Sequence, residues 1–74
     1  MLKPGLYRHY KGKDYRVIGT AKHSETEECL VVYRTCYGDH DLWVRPLTMF
    51  TESVTTETGE QPRFRLVEEL DPSE

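Results

Sequence analysis

The chain has 74 residues, 36% hydrophobic and 31% charged, with a formal charge of −3. That is about half the usual length of a single domain, so it allows one small core and excludes a membrane span, a disulfide scaffold and a large enzyme pocket. Sixteen Leu, Ile, Val and Phe stand beside eight aromatic residues, five of them Tyr, so the core must lean on rings that each bury ~150–250 Å².

No window sustains a 3.6-residue period, whereas β-branched and aromatic residues recur in short runs broken by turn chemistry. Leu6 to Tyr10 reads as a first strand, closed at Lys11-Gly12-Lys13-Asp14. Tyr15 to Lys22 is the second, and Gly19 within it marks a bulge or bend. His23 to Glu28 interrupts the pattern, and Ser24 with Glu27 has the form of a capping box for a single helical turn. Leu30 to Thr35 is a strong strand run flanked by Cys29 and Cys36, followed by a turn at Gly38 to Asp41. Leu42 to Arg45 is the next strand, stopped by Pro46, which has no N–H for a ladder. Leu47 to Phe50 reads as one helical turn that plugs the core with Met49 or Phe50. Thr51 to Thr56 and Arg63 to Val67, joined around Glu57-Thr58-Gly59-Glu60, read as a closing hairpin. The domain is thus expected over residues 1–67, with 68–74 an acidic disordered tail.

Five to six short strands with one helical turn define an all-β domain, a small closed or partly open barrel. Period-two arithmetic points Val17, Leu30, Val32, Leu42 and Val44 inward and Arg16, Ile18, Lys22, Tyr33, Tyr37, Trp43 and Arg45 outward. The opposite register, with Tyr33 and Trp43 in the core, is equally open, because Trp is usually largely buried.

Charge is distributed unevenly: residues 1–22 carry six Lys and Arg against one Asp, residues 51–74 two Arg against seven Asp and Glu. No apolar stretch near Met1 is long enough for a signal-peptide core, so the expected compartment is the cytoplasm. Cys29 and Cys36 lie about 23 Å apart along an extended run at ~3.3 Å per residue, too far for a disulfide. Two free thiols fit a reducing cytosol.

Six ordered segments have a familiar form: Gly5-Leu6-Tyr7-Arg8-His9-Tyr10-Lys11-Gly12, His23-Ser24-Glu25-Thr26, Val31-Val32-Tyr33-Arg34, Tyr37-Gly38, Trp43-Val44-Arg45-Pro46 and Met49-Phe50. Over about Gly5 to Val67 the chain resembles a small bacterial family known as a domain of unknown function, number sixteen fifty-three. The resemblance implies an SH3-like barrel and no assigned activity, and its pattern does not demand Cys29, Cys36 or His40.

The candidate site is polar and aromatic. Arg8, His9 and Tyr10, then His23 and Glu25, then Tyr33, Arg34, Trp43 and Arg45 combine guanidinium forks with ring faces, with His23 to Glu28 as one wall. Such a set suits an anionic or planar ligand, or a protein partner. The competing reading has Arg34 and Arg45 paired with Glu25, Glu27 or Asp41 as structural pins. A catalytic alternative makes His9 or His23 a general base oriented by Glu25, acting on a phosphorylated or nucleotide-like molecule. No nucleophile elbow or phosphate-binding glycine loop accompanies it, and no cofactor is expected. His9, His23, Cys29, Cys36 and His40 lack zinc-ligand spacing. Single-stranded nucleic acid is less favoured, because the acidic last third repels phosphates. The expectation is therefore a binding or adaptor module, monomeric or weakly dimeric, away from membranes.

Overall fold

A computed structural model of the chain describes residues 2–71. Its strands begin and end where turn residues interrupt the apolar runs: β1 Gly5–His9, β2 Asp14–Lys22, β3 Cys29–Thr35, β4 Leu42–Pro46, a short helix α1 Leu47–Phe50, then β5 Ser53–Thr56, β6 Gly59–Pro62 and β7 Phe64–Glu69. The fold is mostly β, as expected, with seven strands among the described residues rather than five or six. β4-β3-β2-β1-β7 form one antiparallel sheet and β5-β6 a second. No helix among the described residues is long and apolar enough to cross a membrane.

The extra strand arises at the expected closing hairpin. Pro62 has no N–H, and Arg63 is where the chain changes partner: its N–H continues the β5–β6 ladder to the Glu52 carbonyl at 2.9 Å, while its carbonyl accepts the Tyr10 N–H at 2.9 Å. β5 and β6 therefore pair only with each other, and β7 starts afresh at Phe64 to run beside β1. β7 continues through Glu69, two residues beyond the expected boundary at Val67, because Glu68 and Glu69 face Leu6 and Gly5 across the ladder. Residues 72–74 of the expected tail lie outside the described residues.

Gly19 does mark a bulge. Val17 faces Tyr33 while Gly19 faces Val32, so Ile18 is the extra residue in β2. Residues directly opposite share a face, so burying Val17 also buries Tyr33 and, two positions along, Val31. The inward set expected for β3 and β4 is therefore corrected: Leu30 and Val32 are only half-buried, and Leu42 and Val44 are exposed. Neither register expected from the sequence holds whole, since Tyr33 is core and Trp43 is exposed. The reason is that rings fill this core: Tyr7, Tyr15, Tyr33, Phe50 and Phe64 surround Val17 and Val31. Phe50 and Phe64 stack at 4.0 Å and 3°, and Tyr7 meets Phe50 edge-on at 5.4 Å.

Phe50, 1% exposed, is the helical plug; Met49 is 45% exposed. The Thr51 N–H and hydroxyl both donate to the Leu47 carbonyl, at 3.0 and 2.9 Å, closing the single turn. The His23–Glu27 segment forms the expected single helical turn, which goes no further. Glu27 has φ 62°, which no right-handed helix continues, and its N–H closes the turn on the His23 carbonyl at 2.9 Å.

Candidate ligand-binding cleft

Register places the site. Tyr15 faces Thr35 across β2 and β3, Tyr33 faces Trp43 across β3 and β4, and Val31 faces Arg45, so these side chains share the inner face of the sheet. Beyond the helix-covered core that face opens into a cleft of about 380 Å³, lined by Tyr15, Tyr33, Thr35, Tyr37, Asp39, Asp41, Trp43 and Arg45, with Gly38 at its turn. The β3–β4 turn closes one end. Thr35 Oγ1 donates to the Tyr37 carbonyl at 3.0 Å, Arg34 Nη1 donates to the His40 carbonyl at 2.6 Å, and Gly38 and His40 take the left-handed φ values of 61° and 57°.

The phenols of Tyr15 and Tyr37 share a hydrogen bond at 3.0 Å, and burial with that contact pushes Tyr15 up to about 12. Tyr15 is therefore neutral, able to donate and accept. Arg45 Nε donates to the Tyr33 hydroxyl at 3.0 Å, and the guanidinium carbon lies 5.3 Å from the Phe64 ring centre. One of five guanidinium donors is thus spent on fixing the group in place. Lys13 Nζ covers the Tyr37 ring at 4.1 Å. Trp43, 54% exposed, stands at the mouth.

Of the residues proposed from sequence, Tyr33, Trp43 and Arg45 meet in this cleft, and the others are spread elsewhere. Arg8, His9 and Tyr10 line a second hollow of about 320 Å³ with Gly12, Gln61, Pro62 and Arg65. There Arg8 is engaged by Asp14 at 2.8 Å, an exposed pair of small energetic weight. His23 and Glu25 lie in the β2–β3 turn, where Lys22 faces Cys29, at the opposite end of β3 from the cleft. The segment His23 to Glu28 is accordingly no wall of the site. His23 Nδ1 accepts from the N–H groups of Glu25 at 3.1 Å and Thr26 at 3.4 Å, which gives it a turn-closing role. Arg34 lies on the outer face of β3. Arg34 and Arg45 contact the His40 carbonyl and the Tyr33 hydroxyl, not the carboxylates of the competing reading.

The catalytic set is likewise divided. His9 and His23 sit beyond opposite ends of the nine-residue β2, about 30 Å apart at ~3.3 Å per residue. His9 Nδ1 accepts the Lys11 N–H at 3.1 Å, and its ring packs on Tyr10 and Phe64. Burial first, then Arg45, Arg63 and Lys11, hold it below the ordinary 6.5. The fold therefore favours neutral His9: its contribution is complete above pH 6.5 and is lost as pH falls through the lowered folded value. Urea midpoints should drop across that window, and His9→Gln should flatten the drop; an unchanged slope would remove His9 as its source. Asp14, held below 3.8 by its hydrogen bond from Arg8, acts only at more acidic pH.

Sequence reasoning passed over Tyr15, Thr35, Asp39 and Asp41. Tyr15 was within reach, since it shares the period-two phase of the inward Val17, as Asp39 and Asp41 share that of Trp43.

A mostly β domain that leaves an aromatic cleft open at its edge strand is the class of protein defined so far. Residues 5–66 match the family described as Protein of unknown function (DUF1653), and the chain belongs to that family. The crystal structure of a DUF1653 protein from Bordetella bronchiseptica is similar at 41% identity and a TM-score of 0.85, covering 96% of this chain and 94% of that one. No curated protein matches.

Proposed function

We propose that the domain is a binding module whose cleft takes a planar ligand carrying one anionic group, stacked on Trp43 with the anion at Arg45. Trp43 carries the reading. A large ring left 54% exposed beside a cleft lined by phenols offers a stacking face that nothing among the described residues covers. Arg45, oriented by Tyr33 and Phe64, supplies preorganised donors for a carboxylate or phosphate. Asp39 and Asp41 on the rim disfavour a polyanion, so a nucleotide-like molecule fits better than a nucleic-acid strand. Four consecutive antiparallel strands, a helical turn and a last strand returning to the first support an SH3-like reading of the architecture. The free thiols of Cys29 and Cys36 support a reducing cytoplasm.

A thermal-shift panel of nucleotides, sugar phosphates, oligonucleotides and peptides, followed by Trp43 fluorescence, tests the site. A ligand at a hundred times its Kd adds about 2.7 kcal/mol, a shift of several degrees in a domain this small. Trp43→Ala and Arg45→Ala should each abolish the shift, whereas His23→Ala should leave it intact. A shift that survives both cleft substitutions would place the site elsewhere.

A further inference from the structure

β4 and β7 are the two edges of the five-stranded sheet, and they are finished differently. β7 exposes Arg65, Glu68 and Glu69 around Val67, the charged finish that discourages edge-to-edge pairing. β4 lacks that guard. Leu42, Trp43 and Val44 are consecutive, apolar and 54, 54 and 55% exposed. On the outer face Val32, Leu42 and Val44 line an apolar depression with Trp43 at its border.

One hydrogen bond fixes where the β4 backbone points. The Thr35 N–H donates to the Asp41 carbonyl at 3.2 Å, so Asp41 and, by alternation, Trp43 and Arg45 turn their backbone groups toward β3. Leu42, Val44 and Pro46 turn theirs outward. The free edge thus offers the N–H and C=O of Leu42 and Val44, ending at a proline that has no N–H to give.

We propose that this edge pairs antiparallel with the same edge of a second copy of the chain, about a two-fold axis at Trp43. In that register Leu42 faces Val44 twice, and every outward N–H and C=O of these residues is paired. On the cleft face Trp43 meets Trp43, and Asp41 meets Arg45 on both sides of the axis. Arg45 spends its Nε–H on Tyr33 and keeps its terminal N–H groups for that carboxylate. The self-complementarity of Asp41-Leu42-Trp43-Val44-Arg45 is what names a second copy as the occupant.

Neighbouring registers fail. An axis at Val44 sets Leu42 against Pro46, and two Leu42 carbonyls lose their donor. An axis at Leu42 sets Val44 against His40, whose φ of 57° is not extended. A single five-residue strand pair stays under the ~1,200 Å² of a standard interface, so the dimer is weak. The dimer and the cleft's ligand would share Trp43 and Arg45, whereas Leu42 and Val44 lie on the other face, so substitutions there act on the dimer alone.

Sedimentation equilibrium from micromolar to millimolar concentration tests it. The mass should rise from 8.7 kDa toward twice that value. Leu42→Lys with Val44→Lys sets like charges opposite each other twice and should raise the dissociation constant at least about fivefold. Leu42→Glu with Val44→Glu should do the same, and an equimolar mixture of the two double variants should associate again, because opposite charges then face across the axis. Wild type that stays at 8.7 kDa throughout, lysine variants that associate like wild type, or a mixture that fails to associate would each overturn the proposal. Neither residue lines the cleft, so the ligand response of these variants reads the proposed function separately.

Discussion

Phe50→Ala should destabilise the domain by about 3–5 kcal/mol, the range for truncating a buried phenylalanine. At 0.05–0.15 kcal/mol per residue a chain of this length holds on the order of 4–11 kcal/mol, so the substitution removes a large share of the total. Phe50 is 1% exposed, stacks on Phe64, meets Tyr7 edge-on and lies 6.2 Å from the Tyr33 ring. The walls closest to it are rings with two side-chain torsions each, which refill the space poorly. The cleft should fail with the core, since Phe64 also supports Arg45 and Tyr33 is shared by both. The control is Met49→Ala, one residue earlier and half in solvent, expected within about 0.5 kcal/mol of wild type. Urea unfolding followed by circular dichroism separates the two. Similar midpoints for both variants would show that the helical turn does not plug the core.

The strands were legible in the sequence because turn chemistry brackets them: Gly12 and Asp14, Gly38 to Asp41, and Pro46 all fall at real boundaries. The facing of β3 and β4 was not. A bulge shifts the period-two phase by one, and Gly19 announces a bulge without saying which neighbour is the extra residue. With Ile18 looped out, Tyr33 turns inward and Leu42 and Val44 turn outward, the reverse of what burying aliphatics first suggests. The same limit governs the site. Trp43, Arg45 and Tyr33 are strand neighbours by register, so sequence could join them. His23 and Glu25 were joined to them by composition alone, and only the length of β2 and β3 shows that they lie at the far end. Histidines at turns close backbone N–H groups through Nδ1, as His9 and His23 both do, and a single sequence cannot distinguish that use from catalysis.

The sheet's longest-range closure rests on one glycine. Gly5→Ala should cost about 2–6 kcal/mol, combining backbone strain of ~1–3 with overpacking of ~1–3. Gly5 has φ 154° and pairs with Glu69 where β1 meets β7. A Cβ there would strike the Glu68 carbonyl and crowd the Glu69 Cα at 3.0 Å and Leu66 Cδ1 at 3.1 Å. Two of those three atoms are backbone, so no rotamer change relieves them; β7 must move off β1. Because Phe64 and Leu66 reach the core from β7, that movement loosens the ring cluster as well. At roughly 4–8 °C per kcal/mol for a domain of this size, the melting midpoint should fall by more than about 10 °C. Amide exchange should show where: protection is lost first along β7 and at Leu6, while β2–β3 amides keep theirs until global unfolding. Gly19→Ala is the matched control, since a Cβ there meets nothing within 4 Å, and it should change stability by less than about 1 kcal/mol. If Gly5→Ala melts with Gly19→Ala, or loses protection evenly across the sheet, the close approach of β1 to β7 is not what fixes this edge.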